Sequence, residues 1–325
     1  MNRYAAANRF SELIIGWASI VLVLSGLVVF MASYAQADAS GVCSTLDLAN
    51  GIQKISGNSG RPLSIKTNSC VIHGNASYGP ESGQTLDSFQ PNGVSQPIPG
   101  VIFVHGGAWT QGDKISIDDE AAAVANIGWA GISINYRLNG FPTEPQDVQT
   151  AIQWVKANAL RYGVDPNRIA VVGASAGGNL AAYAATVMGK SSGLAALVTW
   201  SGIMDFRQAA QLNPDDAKIV ENYIGCMPAN CPQTYGQASP ITHVAAGTPP
   251  TLVVNSTNEV VPLSQAQAMV SALQAIGTNV SLYALPGELH AMAYAPTAFP
   301  VTVNYLAQYL SPYIGAIPAV PAGTE

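Results

Sequence analysis

Charged side chains are scarce in this chain. Only 10% of its 325 residues are Asp, Glu, Lys or Arg, well below the roughly one quarter that is usual in globular proteins. Basic residues number 13 against 19 acidic ones, which gives a net charge of −6, and no basic patch is present. A protein that binds nucleic acid needs such a patch to meet the phosphates. The composition therefore argues against nucleic acid as a partner.

Cysteine and histidine are also few, with four residues of each. No C-x-x-C pair occurs, which is the spacing that structural zinc sites commonly use. We therefore expect no metal site.

No internal repeat is found either, so a solenoid or propeller is not indicated. At 48% hydrophobic residues, the chain has enough apolar side chains for a large core.

The N-terminus has the pattern of a targeting segment. Arg3 and Arg9 precede an apolar run over 13–31, and Ala-Gln-Ala at 35–37 supplies a small-x-small cleavage pattern. We predict that 1–37 is a signal peptide and that the protein is secreted or extracytoplasmic. The alternative is an uncleaved membrane anchor, because about 19 apolar residues can just cross a bilayer.

Export bears on the four cysteines, Cys43, Cys70, Cys226 and Cys231. An even number in an exported chain favours disulfides, and four cysteines allow three connectivities. Neighbourhood in the chain favours Cys43–Cys70 and Cys226–Cys231. The first bond would tie an N-terminal arm to the main domain, and the second would close a small loop.

The remaining chain divides into three parts. Residues 38–69 are polar and turn-rich with few strand signals, which predicts an arm on the domain surface. Residues 70–314 form the main domain, and within it the less periodic, proline-containing 205–248 predicts a lid-like segment over the site. Residues 315–325 carry two prolines and predict a frayed tail.

Strand-like and helix-like runs alternate along the main domain. The predicted strands are 70–78, 84–89, 101–104, 130–136, 168–172, 194–200, 251–255 and 279–284. The predicted helices are 117–127, 144–160, 179–188, 263–276 and 301–314. This alternation predicts an α/β fold with a mostly parallel central sheet and helices on both faces. Such sheets bind ligands at the carboxyl ends of their strands.

One of these strand ends carries a nucleophile motif. Residues 173–177, Gly-Ala-Ser-Ala-Gly, follow the apolar strand and precede an alanine-rich helix. This is the strand–turn–helix setting of the G-x-S-x-G elbow, in which small residues allow a sharp turn. Ser175 is therefore the candidate nucleophile. A serine hydroxyl needs a neighbouring base to take its proton.

Histidine is the usual base because it titrates near neutral pH. His290 follows the last predicted strand, in the order Ser, acid, His that this fold requires. His243 also follows Ser175 and is the alternative base, although it lies in a proline-rich region. His73 precedes the core and is interpreted as structural.

Hydrolysis of a carbonyl compound also needs donors for the oxyanion. The backbone N–H of Ala176, the residue after the nucleophile, supplies one. The amides of Gly107 and Ala108, in His-Gly-Gly-Ala after the strand 101–104, are the other candidates. His105 is expected to brace this loop rather than to take part in the chemistry.

Several segments together resemble the α/β-hydrolase superfamily, and within it the hormone-sensitive-lipase-like and bacterial acetyl/feruloyl esterase branch. The segments are HGGAW at 105–109, NYRL at 135–138, DPNRIAVVGASAGGNLAA at 165–182, SPITH at 239–243 and NEVVP at 258–262. The resemblance covers roughly 70–314. It implies a carboxylic-ester hydrolase with a Ser–acid–His triad, no metal and no cofactor.

The triad acid departs from the pattern of this branch, which places Asp four residues before the proline of D-x-x-V-P. Asn258 stands there and Glu259 follows it. Three interpretations stay open. Glu259 is the acid, Asn258 holds the histidine without a charge, or Asp205 supplies a carboxylate from the end of another strand.

The sequence therefore predicts an exported serine carboxylesterase that acts on short-chain or small acyl esters through an acyl-enzyme, with a small-molecule ester as its partner. Membrane contact is expected only if 1–37 is retained. The same residues could hydrolyse amides, as an amidase or a peptidase. A non-catalytic binding protein is the rival class, and its support is the missing Asp at position 258.

Overall fold

A computed structural model describes residues 43–57 and 60–310. The expected signal segment 1–37 and tail 315–325 lie outside the described residues. Within them, nine strands form one sheet in the order β1-β2-β3-β5-β4-β6-β7-β8-β9. The strands are β1 Leu63–Lys66, β2 Cys70–Ser77, β3 Thr85–Pro91, β4 Ile98–Val104, β5 Ala130–Ile134, β6 Val164–Ala174, β7 Ala196–Trp200, β8 Thr251–Ser256 and β9 Val280–Leu285.

The sheet is parallel over most of its width. β1, β2, β3 and β5 pair in antiparallel fashion at one side, and every pair from β5 through β4, β6, β7 and β8 to β9 is parallel. Strands β4, β5, β7 and β8 are buried along their whole length, as continuous apolar strands covered on both faces must be. The predicted mostly parallel α/β sheet is confirmed.

Helices cover both faces of this sheet. They are α1 Thr45–Ser56, α2 Asp118–Ala125, α3 Thr143–Asn158, α4 Ala176–Met188, α5 Pro214–Ile224, α6 Pro232–Ala238, α7 Leu263–Ala275 and α8 Ala295–Leu310. On one face α3, α4 and α7 pack against strand residues such as Ile102 and Val171. On the other face α1, α2 and α8 pack against Val101 and Val172. The alternation of neighbouring strand side chains between two cores is what the pleat requires.

The arm expected at 38–69 contains more regular structure than the sequence indicated. Helix α1 buries Leu48 and Ile55 against the sheet, and β1 adds the outermost strand by pairing with β2. The disulfide Cys43–Cys70 joins the start of this segment to β2. Few strand signals were visible because β1 is only four residues long and half of it is exposed.

The lid-like segment 205–248 also has regular structure. It contains α5, α6 and short 3₁₀ turns at Phe206–Gln211 and Pro240–His243. Asn213 caps α5, because its side chain accepts a hydrogen bond from the N–H of Asp216. The disulfide Cys226–Cys231 closes the link between α5 and α6. Both disulfides have the pairing that neighbourhood in the chain favoured.

Among the described residues, no helix has the combination of length and hydropathy that crossing a bilayer requires. The apolar run at 13–31 is outside that set.

Candidate active site

Ser175 occupies a sharp turn between β6 and α4. Its backbone angles are φ +55° and ψ −121°, a region that costs a non-glycine residue roughly 1–3 kcal/mol. The flanking glycines allow the turn, since a Cβ on Gly173 would lie 2.1 Å from the carbonyl oxygen of Gly177, and one on Gly177 would lie 2.2 Å from that of Val104. The N–H of Ser175 donates to the carbonyl of Trp200 at 2.7 Å. The turn therefore presents the hydroxyl at the carboxyl edge of the sheet.

His290 lies between Ser175 and a carboxylate. Its Nε2 is 2.8 Å from the Ser175 Oγ, and its Nδ1 is hydrogen-bonded to the Glu259 Oε2. A carboxylate can only accept, so Nδ1 carries the proton and Nε2 is left to accept from the serine hydroxyl. The Glu259 side chain is fully buried, whereas that of His290 is 31% exposed. This is the arrangement that activates a serine nucleophile.

The second carboxylate oxygen of Glu259 is also satisfied. Its Oε1 accepts from the Ser256 N–H at 2.8 Å and from the Ser201 hydroxyl at 2.7 Å. A buried carboxylate without such donors would favour its protonated form. These two donors hold Glu259 in the rotamer that meets His290.

The other two candidates for the acid do not reach His290. The Asn258 side chain donates to the Glu288 Oε1 at 3.0 Å on the exposed side. Asp205 pairs with Arg207 at 2.8 Å. Burial works to raise the pKa of the Asp205 carboxyl, but the hydrogen bonds and charge of Arg207 outweigh it and hold that pKa below its usual value. Asp205 is thus committed to a local ion pair.

The loop after β4 approaches the nucleophile closely. A Cβ on Gly106 would lie 2.9 Å from the Ala174 carbonyl oxygen and 3.1 Å from the Ser175 Cβ. Gly107 has φ +128°, and its Cβ would lie 1.9 Å from the Gln111 carbonyl oxygen, so only glycine fits there. Gly107, Ala108 and Ala176 line the same cavity as Ser175 and His290. The expected oxyanion donors are therefore brought to the nucleophile.

His105 braces this loop from behind. It is 1% exposed, and its ring stacks on Tyr136 with centroids 4.4 Å apart. Its Nδ1 is 2.6 Å from the Gly106 carbonyl oxygen, and the Tyr136 hydroxyl donates to the His105 carbonyl at 2.9 Å. Burial lowers the pKa of the His105 imidazole, so the ring is neutral at physiological pH.

The two remaining histidines lie away from the nucleophile. The His243 Nε2 is 2.7 Å from the Gln237 carbonyl oxygen, and its ring packs edge-on to Tyr183. The ring of His73 packs edge-on to Tyr162. His243, the alternative base, is therefore not brought to Ser175.

A cavity of about 650 Å³ opens at Ser175. Its apolar wall comes from the strand ends and from the lid-like segment. The aliphatic residues of this wall are Ile203, Leu212, Ile219, Val220, Val260 and Val261. Trp109 also lines the cavity and stacks on Tyr223 of α5, with ring centroids 4.6 Å apart. The segment 205–248, predicted as a lid over the site, thus contributes Leu212, Ile219 and Val220 to the cavity wall.

Three residues of the site were not identified from the sequence. They are Ser201, Ser256 and Tyr294, and all three make hydrogen bonds around Glu259 or its partners. One signal was available for Ser201, because it directly follows the predicted strand 194–200 at the edge where ligands bind. In the part of the chain that the structure describes, no group of three or more His, Cys, Asp or Glu side chains is placed to hold a metal ion.

Comparisons with known proteins agree on one family. The family model described as BD-FAE matches residues 86–273. Esterase LipC of Mycobacterium tuberculosis is 33% identical over 236 residues, which are 66% of this chain and 58% of that protein. The probable carboxylic ester hydrolase LipM of the same organism is 34% identical over 212 residues, 59% of this chain and 49% of that protein. The chain thus spans about half the length of these relatives.

Solved structures show the same fold. A truncated carbohydrate esterase from gut microbiota superposes with a TM-score of 0.63 at 23% identity, over 72% of this chain and 94% of that one. The thermophilic esterase Est2 of Thermogutta terrifontis gives a TM-score of 0.60 at 23% identity, over 73% and 92%. At this level of identity the likeness concerns the fold.

Proposed function

Because the chain belongs to the BD-FAE family of α/β-hydrolases, we propose that it is a serine carboxylesterase with Ser175, His290 and Glu259 as its triad. The observation that carries the proposal is the continuous hydrogen-bonded chain from the Ser175 Oγ through both ring nitrogens of His290 to Glu259. The esterase relatives support the same activity.

In the acylation step, the Ser175 oxygen attacks the ester carbonyl carbon while His290 Nε2 takes the hydroxyl proton. The imidazolium that forms is stabilised by Glu259, whose carboxylate accepts the Nδ1 proton in a hydrogen bond without taking it. His290 then gives its Nε2 proton to the departing alkoxide. An alcohol leaves and the acyl group stays on Ser175.

The negative oxygen of the tetrahedral intermediate is stabilised by backbone donors. The N–H of Ala176 lies at the start of α4, where the helix dipole adds a favourable potential. The amides of Gly107 and Ala108 come from the loop that Gly106 brings close to Ser175. Donors fixed in this way need no reorganisation during the reaction.

In the deacylation step, His290 takes a proton from water, and the resulting hydroxide-like oxygen attacks the acyl carbon. The carboxylic acid leaves and Ser175 regains its proton from His290. No co-reactant other than water is needed. The same steps would cleave an amide, with the proton from His290 going to the leaving nitrogen.

We further propose that the acyl group is short or small. The support is a cavity of about 650 Å³, within the usual range for sites that bind small molecules. Aliphatic side chains such as Ile203, Leu212 and Val261 line it, and these favour an apolar acyl group over a charged one.

Replacement of the nucleophile tests the activity. We expect Ser175→Ala to abolish p-nitrophenyl acetate hydrolysis and labelling by a fluorophosphonate probe. Ser271→Ala, at an exposed position on α7, is the matched control and should keep both. Hydrolysis that survives Ser175→Ala in purified protein would mean that another group is the nucleophile. A wild type that is neither labelled by the probe nor active on esters or anilides would instead favour the binding-protein alternative.

Export is proposed on the N-terminal pattern and the two disulfides, since disulfides persist in oxidising compartments. N-terminal sequencing of protein recovered outside the cytoplasm should give a chain that starts at residue 38. Recovery of the intact N-terminus in the membrane fraction would favour the anchor instead.

A further inference from the structure

Ser201 has an unusual backbone for its residue type. It follows β7 directly, is 1% exposed, and has φ +51°, in the left-handed region that few non-glycine residues adopt. A glycine would adopt this conformation at lower cost. The turn itself therefore does not need the Ser201 side chain, and the contacts of its hydroxyl need a separate explanation.

The Ser201 hydroxyl is saturated with hydrogen bonds. Its Oγ lies 2.7 Å from the Glu259 Oε1 and 2.7 Å from the Tyr294 hydroxyl, and it accepts from the Ala291 N–H at 3.0 Å. A hydroxyl has one proton and two lone pairs. Glu259 can only accept, so Ser201 donates to Glu259 and accepts from Ala291 and Tyr294.

Tyr294 completes a one-way chain of donors. Its hydroxyl has one proton and two acceptors in reach, the Ser201 Oγ and the Val254 carbonyl oxygen at 3.2 Å. That carbonyl already accepts from the Ser201 N–H at 2.9 Å, and the contact with Ser201 is shorter. Burial raises the pKa of the Tyr294 hydroxyl, so it stays protonated and can donate. The Tyr294 hydroxyl therefore donates a hydrogen bond to Ser201, and the Ser201 hydroxyl donates one to Glu259.

We infer that Ser201, with Tyr294 behind it, is a positioning residue that sets the geometry and basicity of the Glu259–His290 pair. It fixes the acid through the Glu259 Oε1, and it fixes the base through the N–H of Ala291, which directly follows His290. The end of β7 thereby connects the loops after β8 and β9. The kinetic consequence of this inference rests on the proposed esterase function, whereas its structural consequence for His290 does not.

Loss of the Ser201 hydroxyl has a definite electrostatic effect. With one donor fewer, more negative charge stays on Glu259, and it holds the imidazolium form of His290 more strongly. More of the enzyme then holds His290 as the imidazolium, and less of it has the neutral imidazole that catalysis needs. The Ala291 N–H also loses its acceptor, which loosens the base.

The test uses two variants that lack the hydroxyl but differ in backbone preference, Ser201→Ala and Ser201→Gly. For both we expect kcat to fall by roughly tenfold with KM nearly unchanged, as for loss of a hydrogen bond to a charged group. The ascending limb of the kcat/KM pH profile should move to higher pH in both. A Ser201→Gly enzyme with wild-type kcat and pH profile would overturn the inference, because it would show that only the turn matters.

Tyr294→Phe tests the outer end of the chain and keeps the ring packing. We expect a shift of the pH profile in the same direction but smaller. Tyr283→Phe, on a partly exposed strand position, is the matched control and should behave as wild type. If the Ser201 variants do not fold, an unshifted profile in Tyr294→Phe overturns the donor chain by itself.

A readout without turnover separates this inference from the proposed function. Carbon NMR titration of the His290 imidazole, assigned with a His290→Gln variant, should show a higher midpoint in Ser201→Ala, Ser201→Gly and Tyr294→Phe than in wild type. If no ester is hydrolysed but the midpoints shift, the proposed function fails and the inference stands. If esters are hydrolysed and the midpoints do not move, the inference fails alone.

Discussion

At the scale of single residues, the site depends on where one carboxylate lies. Glu259 is one residue later and one methylene longer than the Asp that the family pattern places at position 258. The N–H of Asn258 is held by the Gly287 carbonyl at 2.9 Å, and its side chain is turned to the surface. The shift by one residue and the longer side chain together return a carboxylate to His290.

Replacement of this acid gives the first residue-scale prediction. We expect Glu259→Gln to lower kcat by roughly 10²–10⁴-fold, because the imidazolium loses its charged partner and the histidine tautomer is no longer fixed. Asn258→Asp should leave kcat within about twofold of wild type, since the side chain at position 258 is directed to Glu288 on the surface and not to His290. Steady-state kinetics with p-nitrophenyl acetate measure both. The reverse pattern would assign the acid to position 258.

The second residue-scale prediction concerns Asp118, which is fully buried. Burial, together with the negative charge of Asp87, raises the pKa of the Asp118 carboxyl to about 8, whereas in an unfolded chain it is about 4. Folding therefore takes up a proton between these values. The stabilisation is fully present below about pH 4 and is lost as pH rises to about 8.

Asn at this position mimics the protonated acid and can accept the same hydrogen bond from Ser133. We expect the free energy of unfolding of wild type to fall from pH 4 to 8 more steeply than that of Asp118→Asn, by at most about 1.4 kcal/mol per pH unit. Urea unfolding at a series of pH values measures this. Asp119→Asn, one residue along and exposed, is the control, and equal slopes in all three proteins would contradict the prediction.

At the scale of elements, helix α5 forms one part of the cavity wall. Ile219 and Val220 face the cavity from α5, and Leu212 faces it from just before the helix. Tyr223, further along α5, stacks on Trp109 in the oxyanion loop. The helix thus forms part of the apolar cavity wall and contacts the loop 105–109 through Trp109.

Filling this wall should shorten the accepted acyl chain. We expect Ile219→Trp to lower kcat/KM for p-nitrophenyl octanoate by roughly tenfold more than for the acetate, because excluding a few methylenes from an apolar wall is worth this much. Lys218→Trp adds the same ring at a side chain that is 62% exposed. It should leave the ratio of kcat/KM for the octanoate to kcat/KM for the acetate unchanged. An unchanged octanoate-to-acetate ratio in Ile219→Trp would place the acyl chain elsewhere in the cavity.

At the scale of the whole molecule, the two disulfides close loops of very different length. Cys43 and Cys70 are 27 residues apart, and Cys226 and Cys231 are 5 apart. In the chain-entropy account, a longer loop constrains the unfolded state more. The first bond also ties α1 to the outer part of the sheet.

We therefore expect the Cys43→Ala/Cys70→Ala variant to lose about 3–4 kcal/mol of unfolding free energy and the Cys226→Ala/Cys231→Ala variant about 2 kcal/mol. Urea unfolding of the two double variants beside wild type measures the difference. A larger loss from the second pair would mean that this bond acts on the folded lid-like segment rather than through loop length.

Much of this protein is determined by its sequence alone. Continuous apolar runs specify buried parallel strands, because apolar side chains can be covered on both faces without leaving polar groups unpaired. The glycines that flank Ser175, and those at 106 and 107, specify close backbone approach, since a Cβ at these positions would collide with neighbouring backbone. The order of Ser175 and His290 along the alternating pattern places both at one edge of the sheet.

The tertiary structure decided what depends on contacts between distant segments. Which of Asn258, Glu259 and Asp205 meets His290 depends on the direction of the turn after β8 and on two donors to Glu259. These donors are Ser256, at the end of β8 itself, and Ser201, which follows β7. The short edge strand in 38–69 gains its hydrogen bonds only by pairing with β2. Local composition cannot specify such features, because the groups that stabilise them meet only when the sheet is assembled.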